Sequence, residues 1–155
     1  MDLIDELKKE HTAITGALEK INKKGISATE CQDYLFKTKA LLLDHLKKED
    51  VDFYPALKIA AKNNEYIWKT LKLFADDMDE ISEFALNFFD KYASGGKGVE
   101  FARDYGHLYS KLSTRIRKEE TVLYEFYASL DPTNINKVAD WKSQTLKQVS
   151  GFCYK

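Results

Sequence analysis

Proline occurs only twice and glycine seven times in this 155-residue chain, so long segments run without a residue that breaks a helix. Valine is scarce as well, five against seventeen leucines. No stretch alternates apolar and polar side chains for long enough to specify a strand. The two cysteines, Cys31 and Cys153, lie far apart and match no CxxC or Cys/His zinc spacing, which argues against a disulfide framework and a structural zinc. No apolar run approaches the roughly 18 residues of a membrane span; the longest cluster, Ala40-Leu41-Leu42-Leu43, stops at Asp44. The acidic start, Met1 to Glu6, lacks the basic and apolar regions of a secretion signal. A net charge of −1 gives no attraction to nucleic acid or anionic membrane. These absences predict a reduced, cytoplasmic protein with neither nucleic acid nor membrane as partner.

The residues present favour helix. Leucine and lysine are strong helix formers, and three of the seven glycines cluster at Gly95, Gly96 and Gly98. Breaks are expected at Asn22 to Gly25, around Asn63-Asn64, and at Ser94 to Gly98. Ser27 followed by Glu30 reads as a capping box. Pro55 falls inside a helical pattern, where it should kink the helix or open a separate last turn. The expectation is an all-α protein: an up-down-up-down antiparallel four-helix bundle over residues 1–130, with helices near 2–22, 28–61, 64–93 and 98–129. Residues 131–155, a C-terminal extension running past Trp141 and Leu146, are expected to add a short helix packed on the bundle.

A spacing of three and four residues gives each helix a seam toward the bundle centre. The first seam is Ile4, Leu7, His11, Ile14, Leu18, Ile21. The second is Leu35, Thr38, Leu42, His45, Glu49, Asp52. The third is Ile67, Leu71, Phe74, Met78, Ile81, Ala85, Phe88, Tyr92. The fourth is Phe101, Tyr105, Leu108, Leu112, Arg115, Glu119, Val122, Phe126. His11, His45, Glu49, Arg115 and Glu119 interrupt the apolar pattern. An ionised side chain buried without a partner costs several kcal/mol, so these groups must satisfy one another or bind something. Distances from the loops place them near one depth in the bundle, with an offset of six residues between His11 and His45 for the first loop to absorb.

Helices 2 and 4 share a phrase. His45-Leu46-Lys47-Lys48-Glu49-Asp50 matches Arg115-Ile116-Arg117-Lys118-Glu119-Glu120, and Tyr54 matches Tyr124, all at an offset of 70. A weaker match links Glu10 to Ile14 with Asp77 to Ile81. The chain reads as two helical hairpins related by a pseudo-twofold. His45 and Glu49, one turn apart and about 40° apart around a helix, can reach a single point, and two imidazoles with one or two carboxylates suit Fe(II), Mn(II) or Zn(II). Ferritin-like bundles need Glu-x-x-His, and none of the three histidines has glutamate three residues before it.

The Glu10-His11 start, His45-xxx-Glu49 before Asp52-Phe53-Tyr54-Pro55, and the Arg115 to Tyr124 stretch resemble the hemerythrin family, the HHE cation-binding domain, over residues 3–128. The resemblance implies a four-helix bundle holding two irons on one His from helix 1, His-xxx-Glu from helix 2, one His from helix 3 and His-xxx-Glu from helix 4. It implies His11, His45, Glu49 and Glu119 as metal ligands. Met78 and Arg115 stand where the third and fourth histidines belong, so the expected cofactor is iron, at most one ion per chain, or none. Roles in O2, nitric oxide, iron or redox sensing follow from the resemblance, with a metal ion and a small diatomic molecule as ligands.

Arg115 sharpens two readings. With three arginines against twenty-one lysines, a permanent guanidinium beside two glutamates either replaces the charge of a missing second metal or neutralises both carboxylates in a metal-free bundle. In the second case the fold serves as a signalling or protein-interaction module. A mononuclear enzyme ranks last because no substrate pocket is legible, and no catalytic residue is assigned. Met78 reads as core packing, His107 as an edge histidine, Asp76 and Asp77 as exposed, and Cys31 as a buried thiol. Tyr54, Tyr105, Tyr109 and Tyr124 read as packing residues able to donate to a ligand carboxylate.

Overall fold

The computed structural model describes residues 2–23 and 27–130. The described chain forms α1 (Leu3–Ile21), α2 (Ala28–Lys48), α3 (Tyr54–Ala60), α4 (Glu65–Lys91), α5 (Gly98–Lys118) and α6 (Tyr124–Ala128). One π turn, Glu49–Phe53, joins α2 to α3, and a second, Glu119–Leu123, joins α5 to α6. Two rods result, α2–α3 and α5–α6. With α1 and α4 they make an all-α four-helix bundle in which α1 packs on α2 and α5, and α4 packs on α5 and α2. No strand and no helix long and apolar enough to cross a membrane occurs among the described residues. The expected C-terminal helix lies outside them.

Local chemistry sets the helix starts. Asp2 accepts the Asp5 N–H at 2.9 Å, Ser27 accepts the Glu30 N–H at 3.1 Å, and Asn64 accepts the Ile67 N–H at 3.1 Å, each satisfying an orphan donor of a first turn. In the expected capping box, Glu30 returns to the Ser27 hydroxyl at 3.1 Å. Gly95, at φ +96°, turns the chain out of α4 in a region that L side chains rarely adopt. A side chain at Gly96 would meet the Phe101 ring at 2.2 Å.

The six-residue offset between His11 and His45 is absorbed by overhang. The first turns of α2 pack against the α4–α5 loop, where Gln32 donates to the Ala93 carbonyl at 3.0 Å and the Cys31 thiol lies 3.9 Å from the Gly96 carbonyl. The imidazoles of His11 and His45 therefore meet, with ring centroids 4.5 Å apart.

The core is split in two. One apolar cluster runs from Ile14 and Leu18 through Leu42, Met78, Phe88 and Leu112; the other holds Leu7, Phe53, Leu57, Leu71, Phe74 and Leu123. Between them lies a buried polar layer of His11, His45, Glu49, Arg115 and Glu119. The expected seams hold except where the π turns act. Asp52 is exposed and Val122 and Phe126 are only half-buried, while Phe53, Tyr54, Leu57, Leu123 and Tyr124 take the core positions. A π turn adds one residue to the winding, which moves the seam by one position. Ile81 is half-buried at the rim.

Candidate metal centre

The two π turns build the layer. In an α-helix a residue five positions on points about 140° away, so Tyr54 would turn from Glu49, and Tyr124 from Glu119. Instead the Tyr54 N–H bonds back to the Glu49 carbonyl, and the Tyr124 N–H to the Glu119 carbonyl. This wider turn brings each tyrosine inward with its glutamate. Pro55, which has no N–H, favours the first turn, but Glu125 occupies the matching place after the second. What the two turns share is an adjacent pair, Phe53-Tyr54 and Leu123-Tyr124, both of whose side chains are buried. Burial of these pairs is the common driving force.

The two tyrosines cross. Tyr54 donates to Glu119 at 3.2 Å, and Tyr124 donates to Glu49 at 3.0 Å, so each hairpin's phenol supports the other's carboxylate. The pseudo-twofold of the repeated phrase is thus realised in the hydrogen bonding.

On one side of the layer stand the imidazoles. His45 Nδ1 meets Glu10 at 2.9 Å, and Lys48 in turn holds Glu10 at 2.5 Å. His11 Nδ1 meets Glu120 at 3.3 Å. Outer carboxylates on both Nδ1 atoms aim both Nε2 atoms inward, the arrangement that orients metal-binding histidines. His45 Nε2 lies 3.0 Å from Glu49 Oε1. Yet neither atom has a hydrogen-bond partner of acceptable geometry, although both are buried. One ligand atom each from His11, His45 and Glu49 fits within 4.8 Å of the others.

On the other side stands Arg115, 4% exposed. Its Nε donates to Glu119 at 2.9 Å, one Nη to the Phe74 carbonyl at 2.6 Å and the other to the Tyr54 hydroxyl at 2.8 Å. The guanidinium carbon sits 4.4 Å from the Phe74 ring centre. Both Glu119 oxygens are thus engaged, one by Arg115 and one by Tyr54. Met78 is buried in the apolar cluster beside it and receives the Ser82 hydroxyl at 3.2 Å. Asp77 and His107 are exposed.

Electrostatics divides the layer the same way. Burial lowers the His11 pKa, which favours neutral imidazole. Burial opposes the charged form of His45 too, but the Glu49 carboxylate outweighs it and raises the pKa to about 9. Glu49 is lowered: burial pushes it up, and His45, with Arg115, pulls it further down. Glu119 is pushed up to about 7 by burial and by Glu49, against Arg115.

Sequence reading missed Glu10 and Glu120. Each adjoins a marked residue, but each lies off its seam among many acidic side chains. Their signal exists only when α1, α2 and the second π turn are brought together.

A buried cluster of two carboxylate-backed imidazoles and a glutamate, carried on a four-helix bundle, is a donor set of the kind that can hold a cation between helices. Residues 2–127 match the family described as hemerythrin HHE cation binding domain, and the chain belongs to that family. No curated protein and no solved structure matches it.

Proposed function

We propose that this protein binds one iron ion per chain on His11, His45 and Glu49, with Glu119 as the carboxylate facing it. We further propose that it serves O2, nitric oxide, iron or redox sensing in the cytoplasm. The observation that carries the reading is the convergence of buried ligand atoms of His11, His45 and Glu49 within 4.8 Å of one another, with His45 Nε2 and Glu49 Oε1 3.0 Å apart and outside hydrogen-bond geometry. In metal-free protein the two are held by charge, and a bound cation would take the place of the His45 proton between them. A nitrogen–oxygen donor set of this kind suits Fe(II), with positions left for water or a diatomic molecule.

The other half-site supports a limit of one. Arg115 delivers a fixed positive charge where a second ion would sit, and Met78 offers only a weak thioether. Reversible O2 carriage of the family's kind draws one electron from each of two ferrous ions, and Arg115 has none to give. The ion's contribution when bound is Lewis acidity and one-electron redox chemistry. The chain's contribution is to orient both imidazoles through Glu10 and Glu120.

A second reading has its own observation. Arg115 with Glu119, Tyr54 and the Phe74 carbonyl is a nearly complete internal ion pair, as a metal-free bundle acting through a protein partner would keep. Elemental analysis of protein purified without chelator or affinity-tag metal decides between them. One equivalent of iron, lost in His45→Ala, supports the first reading; none after anaerobic ferrous loading supports the second, and two equivalents refute the single-ion limit.

A further inference from the structure

We propose that Tyr124 is itself a ligand of this centre through its phenolate oxygen, making the donor set two imidazoles, one carboxylate and one phenolate, with a preference for ferric iron. The inference rests on the single-ion reading above. Its first support is position. The Tyr124 hydroxyl oxygen lies 3.2 Å from His11 Nε2 and 3.0 Å from Glu49 Oε2, among the atoms that gather around the candidate ion. The ring is clamped, stacked on His11 at 5.4 Å with 7° between the planes and held edge-on by Phe53 at 5.0 Å. The residue is 1% exposed, so water does not compete for that oxygen.

Its second support is the state of the same carboxylate. Glu49 Oε1 is buried with no hydrogen bond of acceptable geometry, which is costly. A cation held by Tyr124, the imidazoles and Glu49 would engage it. The hydroxyl proton then leaves to solvent, and no oxidant is needed when the ion is supplied as Fe(III).

The pseudo-twofold supplies an internal control. Tyr54 is the counterpart of Tyr124, but it accepts from Arg115 at 2.8 Å and donates to Glu119. The Arg115 guanidinium supplies the positive charge at its oxygen. The Tyr124 phenol faces the His11 imidazole and the Tyr54 phenol a guanidinium, which places Tyr124 in the donor set. Anionic oxygen donors favour the harder ferric ion.

The test loads the metal-free full chain with Fe(III) from a weak chelate and records iron content, visible absorption and resonance Raman spectra. One iron per chain is expected, with a visible phenolate-to-iron charge-transfer band and tyrosinate Raman modes. Tyr124→Phe should abolish the band and weaken ferric binding by at least the roughly tenfold that loss of an outer-shell partner costs, while still binding Fe(II). Tyr54→Phe should keep the band. Iron uptake without a band, or a band that survives in Tyr124→Phe, overturns the phenolate assignment and leaves the single-ion reading standing. Failure of the unaltered chain to take up either Fe(II) or Fe(III) overturns that reading and the assignment with it. If Tyr124→Phe does not fold, the tyrosinate modes of the unaltered protein decide alone, and their absence is an overturning result.

Discussion

His45 makes the clearest titration. In metal-free protein its pKa rises from an ordinary 6.5 to about 9, because Glu49 outweighs the cost of burial. A raised pKa means the contribution is fully present below the unfolded value and is lost as pH climbs through the folded one. Glu119, raised to about 7, acts in the same direction. Below about pH 6.5 the lowered pKa of His11 acts in the opposite sense, so metal-free protein should lose stability between about pH 6.5 and 9, read as a falling melting temperature against pH. Metal affinity should move the opposite way. A histidine ligand must shed its proton, so the apparent dissociation constant should tighten from pH 6 to 9 with measurable proton release. An affinity that is flat across that range would exclude His45 as ligand. Arg115 gives the second residue-scale test. Arg115→Ala leaves Glu119 and Tyr54 without their buried cation, and in metal-free protein should cost about 3–5 kcal/mol by urea denaturation.

At the scale of elements, the π turns govern. Each acts as a one-residue insertion whose wide turn keeps the following helix facing the core. Deleting exposed Val51 should return that stretch to α-helix with Phe53, Tyr54 and Leu57 still inward, so the protein should fold and keep its helical circular dichroism. Deleting exposed Ala40 removes a residue from a regular stretch. Every side chain beyond it then rotates by about 100° relative to the seam, and the variant should be unfolded or insoluble. Comparable melting temperatures for the two deletions would show that the π turn has no register role. The same elements mark what periodicity could and could not convey. Leu42, His45 and Glu49 lie on the spacing and are buried. Asp52 lies on it and is exposed, because a uniform spacing has no way to register the extra residue. Pro55 hinted at a break before α3, whereas nothing local marked the one before α6.

At the scale of the whole molecule, the proposed centre has His11, His45 and Glu49 on one side and the Arg115 network on the other. Removing the ion with a chelator should lower the melting temperature; an ion present at 100 times its dissociation constant stabilises by about 2.7 kcal/mol. Replacing both Met78 and Arg115 by histidine should raise iron capacity from one ion to two, read by elemental analysis. Capacity unchanged in a folded double variant would mean the pseudo-twofold does not extend to metal binding. Reduced, iron-loaded protein exposed to air should show no reversible oxy spectrum of the bridged di-iron kind.

The sequence by itself determined the bundle, because scarce proline and glycine leave long helices and the three-four spacing marks their inner faces. It also marked the polar layer, since His11, His45, Glu49, Arg115 and Glu119 stand where apolar residues belong. Tertiary structure alone decided how that layer divides. Glu10 reaches His45 from α1, Glu120 reaches His11 from the second π turn, and Tyr54 and Tyr124 cross between hairpins. Hydrogen bonds depend on distances of about 3 Å and on direction. Residues 35 to 109 positions apart acquire such distances only when four helices and two π turns fix their rotation and depth together.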